Sequence, residues 1–128
     1  MTDAISSAQS ALGAFSTSMA FTANNVANLD TDGYKSRDAR LSTGPNGRGV
    51  QVSGVSEDRS PGALRDGTAS VQNAAGDSET RSDMVETSNV DLTRQMVDMT
   101  ETSQAYGANT AVVRTADDMA GTLLDMVV

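Results

Sequence analysis

The sequence predicts a mainly α-helical chain, with long N- and C-terminal helices forming a coiled-coil-like pair and a small β-hairpin with extended loop between them. Three observations predict this. One heptad-like apolar stripe runs through residues 1–29, and a second runs through the last 40 residues. The segment between them holds 8 of the 11 glycines and both prolines, so regular helix stops there. The expected division is 1–29, an N-terminal helix; 30–88, a short β/loop region; and 89–128, a C-terminal helix.

The N-terminal stripe is Ile5, Ala8, Leu12, Phe15, Met19, Thr22, Val26 and Leu29, in alternating steps of three and four. Thr2 or Asp3 can cap its start, and Asp3 also suits the positive end of the helix dipole. Residues 28–33, rich in Asn, Asp and Gly, supply the stop. The predicted helix covers residues 3–28 and is roughly 39 Å long.

The C-terminal stripe contains Leu92, Met96, Met99, Tyr106, Val113 and Leu124, interrupted by Ser103, Thr110 and Asp117. Ala105, Ala108, Val112, Ala116, Met119, Leu123 and Met126 add an adjacent apolar face. An apolar arc this wide requires more than one neighbour. Ser88 with Asp91 is a candidate capping box, and Asn89 is an alternative cap. The predicted helix covers 90–126, roughly 55 Å.

In the middle, Val50, Val52 and Val55 alternate as a short strand, and residues 34–37 offer a second. Residues 44–47, Gly-Pro-Asn-Gly, form the turn that would join them. Residues 56–83 carry hardly a large apolar side chain and are expected to be extended or poorly ordered.

Composition excludes several function classes. Aromatics make up only 3%, so no thick core or large apolar pocket is expected. The net charge is −8, against nucleic acid and anionic membrane surfaces. With no Cys and no His there is no thiol or imidazole catalysis, no Cys/His metal site and no disulfide. No apolar run is long enough to span a bilayer, and the N-terminus lacks the basic region of a cleaved signal. Asp30, Asp32, Gly33 and Asp38 fail the EF-hand pattern, because Gly falls at the wrong position and the twelfth residue is Leu41. The Gly-rich stretch 44–49 lacks the Gly-Lys ending of a phosphate loop. No catalytic, cofactor-binding or metal residue is expected, and no cofactor.

Residues 23–35 read Ala-Asn-Asn-Val-Ala-Asn-Leu-Asp-Thr-Asp-Gly-Tyr-Lys. This stretch resembles the N-terminal signature of the bacterial flagellar axial proteins of the rod and hook, matching it at Asn25, Val26, Ala27, Asn28, Thr31, Gly33, Tyr34 and Lys35. Residues 86–92, then 96–99, then Gln104, Ala105, Tyr106 and Asn109 resemble the family's C-terminal pattern. The resemblance implies terminal helices that pair and polymerise into a helical tube transmitting torque from motor to hook. It implies other rod subunits and further copies of this chain as partners. It also implies export through the flagellar type III apparatus without a cleaved signal, to the basal-body rod in the periplasm.

Chain length and the Gly-Val-Gln-Val stretch at 49–52 are similar to a small proximal-rod protein. Residues 30–35 and 86–90 are closer to the distal-rod and hook branch. The expected assembly interface is Leu12, Phe15, Met19, Asn25, Val26 and Asn28 at one end, with Leu92, Met96, Met99, Tyr106, Val113 and Leu124 at the other. For Asn25 and Asn28 two readings stand: a helix end with a left-handed cap, or side chains that hydrogen-bond a neighbouring helix. The competing functions are a cytoplasmic coiled-coil adaptor or regulator, and a short distal-rod or hook-type subunit.

Overall fold

A computed structural model describes residues 2–72 and 75–126. Helix α1 (Thr2–Ala27) is followed by strands β1 (Arg37–Thr43) and β2 (Val50–Glu57), then β3 (Leu64–Gln72) and β4 (Ser78–Glu86), then helix α2 (Leu92–Asp125). The strands form two separate antiparallel hairpins, β1–β2 and β3–β4. Asp91 caps α2, its carboxylate accepting from the Thr93 and Arg94 amides at 2.9 and 3.2 Å. Neither Ser88 nor Asn89 is the cap: the Ser88 hydroxyl accepts from the Val90 amide, and Asn89 bonds elsewhere.

The two helices run antiparallel, with Asn25 near the end of α1 bonded to Gln95 near the start of α2. At the other end, Ile5, Gln9 and Leu12 share a cavity with Val113, Ala116 and Ala120. The buried line of α1 is Ala8, Ala11, Ala14, Thr22 and Asn25: it keeps Ala8 and Thr22 of the expected stripe but not the stripe's large side chains. Leu12, Phe15, Met19 and Val26 are only half-buried. The reason is that α1 packs on two partners, α2 and the β1–β2 hairpin, and its most enclosed line faces the cleft between them. Small side chains there let three elements approach closely, at the cost of apolar area.

The β1–β2 hairpin agrees with the expected turn and with the strand through Val50, Val52 and Val55, but its first strand is Arg37–Thr43 and not residues 34–37; it lies back along α1. Its tip closes on Asn46, Gly47 and Gly49, all at positive φ. Gly49 sits against α1 so closely that a Cβ would stand 2.2 Å from the Ser10 hydroxyl. That hydroxyl accepts from the Val50 amide at 3.2 Å, and Arg48 pairs with Asp3 at 2.8 Å. Ser53 is the extra residue of a bulge, since Arg40 faces Gly54 while Leu41 faces Val52.

The expected fold class needs correction. The molecule is not a coiled-coil pair with one small hairpin, because much of residues 56–83 forms a second hairpin with nine-residue strands. Leu64 faces Glu86 at its base and Gln72 faces Ser78 at its far end. Both faces are largely exposed, so backbone pairing rather than core burial defines it. Gly67 fits where it does because Val85 crosses over it: a Cβ there would stand 2.6 Å from Val85 Cγ2. No helix of the described residues is long and apolar enough to cross a membrane.

Candidate functional site

The signature at the end of α1 builds a polar junction. The Asn25 side chain is fully buried, and all its hydrogen-bonding capacity is used. Its amide group donates to the Arg37 carbonyl at 2.8 Å and to Gln95 Oε1 at 3.0 Å. Its carbonyl oxygen accepts from the Tyr34 hydroxyl at 3.1 Å and the Arg37 amide at 3.0 Å. One side chain therefore joins α1, the following turn, β1 and α2. Such a group specifies an arrangement because every alternative packing strands buried donors and acceptors.

A second clasp lies beside it. Asn89 Oδ1 accepts from the Ser36 amide at 2.8 Å, and its amide group donates to the carbonyls of Asp58 and Ser60. Gly33, at φ 68°, turns the chain so that its amide donates to the Glu86 carbonyl at 2.8 Å. Lys35 Nζ pairs with Glu86 Oε1 at 2.5 Å and donates to the Ser60 carbonyl at 2.9 Å. The Lys35 ammonium and then the Gly62 amide hold the Glu86 carboxyl below its ordinary value. The Ser60 amide, then its hydroxyl, do the same for Asp58. The arrangement contains acceptors and donors in fixed pairs, with no paired free carboxylates and, among the described residues, no cluster that could hold a metal.

The residues expected from sequence divide among several settings. Asn25 is the hub of the junction. Asn28 is local: its amide group donates to the Asn24 carbonyl at 2.9 Å and its oxygen accepts from the Thr31 hydroxyl. It is not left-handed; Gly33 carries the positive φ of this turn. Leu12 and Val113 line one cavity between the helices. Leu92, Met96, Met99, Tyr106 and Leu124 lie on exposed surface of α2, with Met96 at 61% and Leu124 at 71%. Met96 lines an apolar groove of about 470 Å³ with Thr93, Val97, Thr100, Glu101 and Gln104. Sequence reasoning missed the roles of Gln95, Ser36 and Asn89, whose partners are remote in the chain.

Residues 5–35 match the family model described as flagella basal body rod protein. Residues 81–126 match the one described as flagellar basal body rod FlgEFG protein C-terminal. Both halves of the junction, Asn25 to Lys35 and Glu86 to Gln95, fall inside these segments. Over 120 aligned residues the chain is 31% identical to the flagellar basal-body rod protein FlgC of Borreliella burgdorferi, covering 75% of this chain and 77% of that one. The chain belongs to the flagellar basal-body rod protein family. It is a structural protein of the rod, it serves motility, and it assembles with other rod subunits. Membership places it at the basal body, and neither the adaptor nor the hook-type reading gains support.

Proposed function

We propose that this subunit builds the proximal part of the rod through its terminal helices, and transmits torque by packing rather than by chemistry. Segments 1–29 and 89–128 form the tube-building unit, and 30–88 decorates and braces it. The interface is carried by Leu12, Phe15, Met19, Val26 and Asn28 with Leu92, Met96, Met99, Tyr106, Val113 and Leu124, while Asn25, fully buried, ties the subunit's own elements together behind it. The chain is not an enzyme. It leaves the cytoplasm through the flagellar type III apparatus, and the absence of cysteine suits a substrate that is threaded unfolded.

The observation that carries this reading is the exposed apolar surface of α2. Met96, Val97, Val112, Met119, Leu123 and Leu124 stand between 45% and 71% exposed along it. A patch of this kind on a family of assembling subunits is an interface. The 31% identity to FlgC, over 75% of this chain, supports the proximal position. Mass spectrometry of purified hook–basal bodies, compared with a strain lacking the chain, tests the proposal. The protein is expected in wild-type particles, and the deletion strain is expected to stop at an early rod stage. Complete basal bodies in the deletion strain would overturn it.

A further inference from the structure

The β3–β4 hairpin is an arm with no cover of its own. Its strands pack substantially only on each other. Nine residues at about 3.4 Å each carry it roughly 30 Å from its base. Isolated two-stranded hairpins are marginal in water, so an ordered arm of this length gains from a partner surface. Its sequence from Leu64 to Glu86 holds five carboxylates against two arginines. Of these, Glu86 is spent on Lys35 and Arg65 on Asp32 at 2.7 Å; Asp66, Asp77, Glu79 and Asp83, against Arg81 alone, lie on exposed surface.

The opposite character occurs on the other hairpin. A cavity of about 730 Å³ is lined by Phe21, Val55, Arg37, Arg40, Arg59 and Glu57, with Ser56 between them. Three arginines meet one carboxylate there: Arg37 and Arg59 share Glu57 at 3.5 and 3.6 Å, and Arg40 donates to the Ser56 hydroxyl. This is an excess of positive charge over an apolar floor, in a chain of net charge −8. The arm of the same chain stays out of this groove. Its base is held to the turn after α1 by the Gly33 amide on the Glu86 carbonyl at 2.8 Å and by the Lys35–Glu86 and Arg65–Asp32 pairs.

We propose that the acidic β3–β4 arm of one copy docks into the arginine-lined β1–β2 groove of the next copy. The inference rests on the rod-subunit reading. Arm and groove are different surfaces of one chain, so the contact is heterologous and propagates instead of closing into a two-fold dimer. Charge complementarity fixes its register and disfavours wrong neighbours.

The chain has no cysteine, so an introduced pair is unambiguous. Arg40→Cys and Glu79→Cys in one chain, assembled into basal bodies and treated with a bismaleimide, are expected to give dimers, trimers and longer ladders. Either single variant gives none. In parallel, Arg40→Glu with Arg59→Glu is expected to lower incorporation about tenfold. Adding Asp66→Arg and Glu79→Arg to that chain restores it. Double-cysteine subunits that incorporate normally yet never cross-link between chains overturn the docking and leave the rod reading intact. Absence of even the unmodified chain from basal bodies removes the rod reading, and the docking with it.

Discussion

At the scale of single residues, Asn25 decides more than its size suggests. Replacing it with Ala strands the Tyr34 hydroxyl, the Arg37 amide and carbonyl, and Gln95 Oε1 together. Leaving buried polar groups unpaired costs about 1–3 kcal/mol each, so Asn25→Ala is expected to destabilise the free subunit by about 3 kcal/mol in urea unfolding. A shift within a few tenths of a kcal/mol would mean that the junction contributes nothing. Glu86 sets a pH dependence of known sign. Its folded pKa is lowered below 4.5, so its contribution is complete above that value and is lost as pH falls through the lower folded value. Glu86→Gln should therefore be less stable than wild type at neutral pH, with the gap closing in acid. Parallel unfolding curves at every pH would contradict the Lys35 and Gly62 pairing as its cause.

At the scale of elements, the two hairpins differ in how much of them the sequence announces. β1–β2 is legible because the alternation of Val50, Val52 and Val55 and the turn at 44–47 both point to it, even though Val52 and Val55 stay exposed. β3–β4 is not, since both its faces meet solvent and no period-two pattern is needed to satisfy a core. The helices are legible from their stripes, but the buried line is not, because a stripe cannot tell that a third element packs beside α1. Asn25 is visible through its motif, whereas its partner Gln95 stands 70 residues away and Asn89 stands 53 from Ser36, distances over which spacing carries no information. The tip of β1–β2 gives an element-scale test. Gly49→Ala combines a positive φ of 65° with a clash on Ser10, and is expected to cost about 1–2 kcal/mol. Ser10→Ala in the same chain should recover only part of this, since it removes the clash but not the backbone penalty. Full recovery would show that φ 65° carries no penalty at this position.

At the scale of the whole molecule, intrachain and interchain packing use neighbouring surfaces of the same helices, and substitutions can separate them. Leu12 and Val113 line one cavity between the helices, beside Ile5, Ala116 and Ala120 and with Asp117 on its wall, so an Asp at either position replaces apolar packing with a charge. Leu12→Asp is expected to destabilise the free subunit by about 2 kcal/mol or more and to block assembly as well. Met96, 61% exposed, meets little of its own chain. Met96→Asp should change the free subunit by no more than about 1 kcal/mol, mostly through helix propensity, while preventing incorporation into the rod. Export should survive both changes, because it does not depend on the folded seam. The two measurements are urea unfolding of purified subunit and the amount of each variant in isolated basal bodies. If Met96→Asp assembled as well as wild type, the exposed face of α2 would lie on the outside of the tube. The interface would then have to be sought on the hairpins.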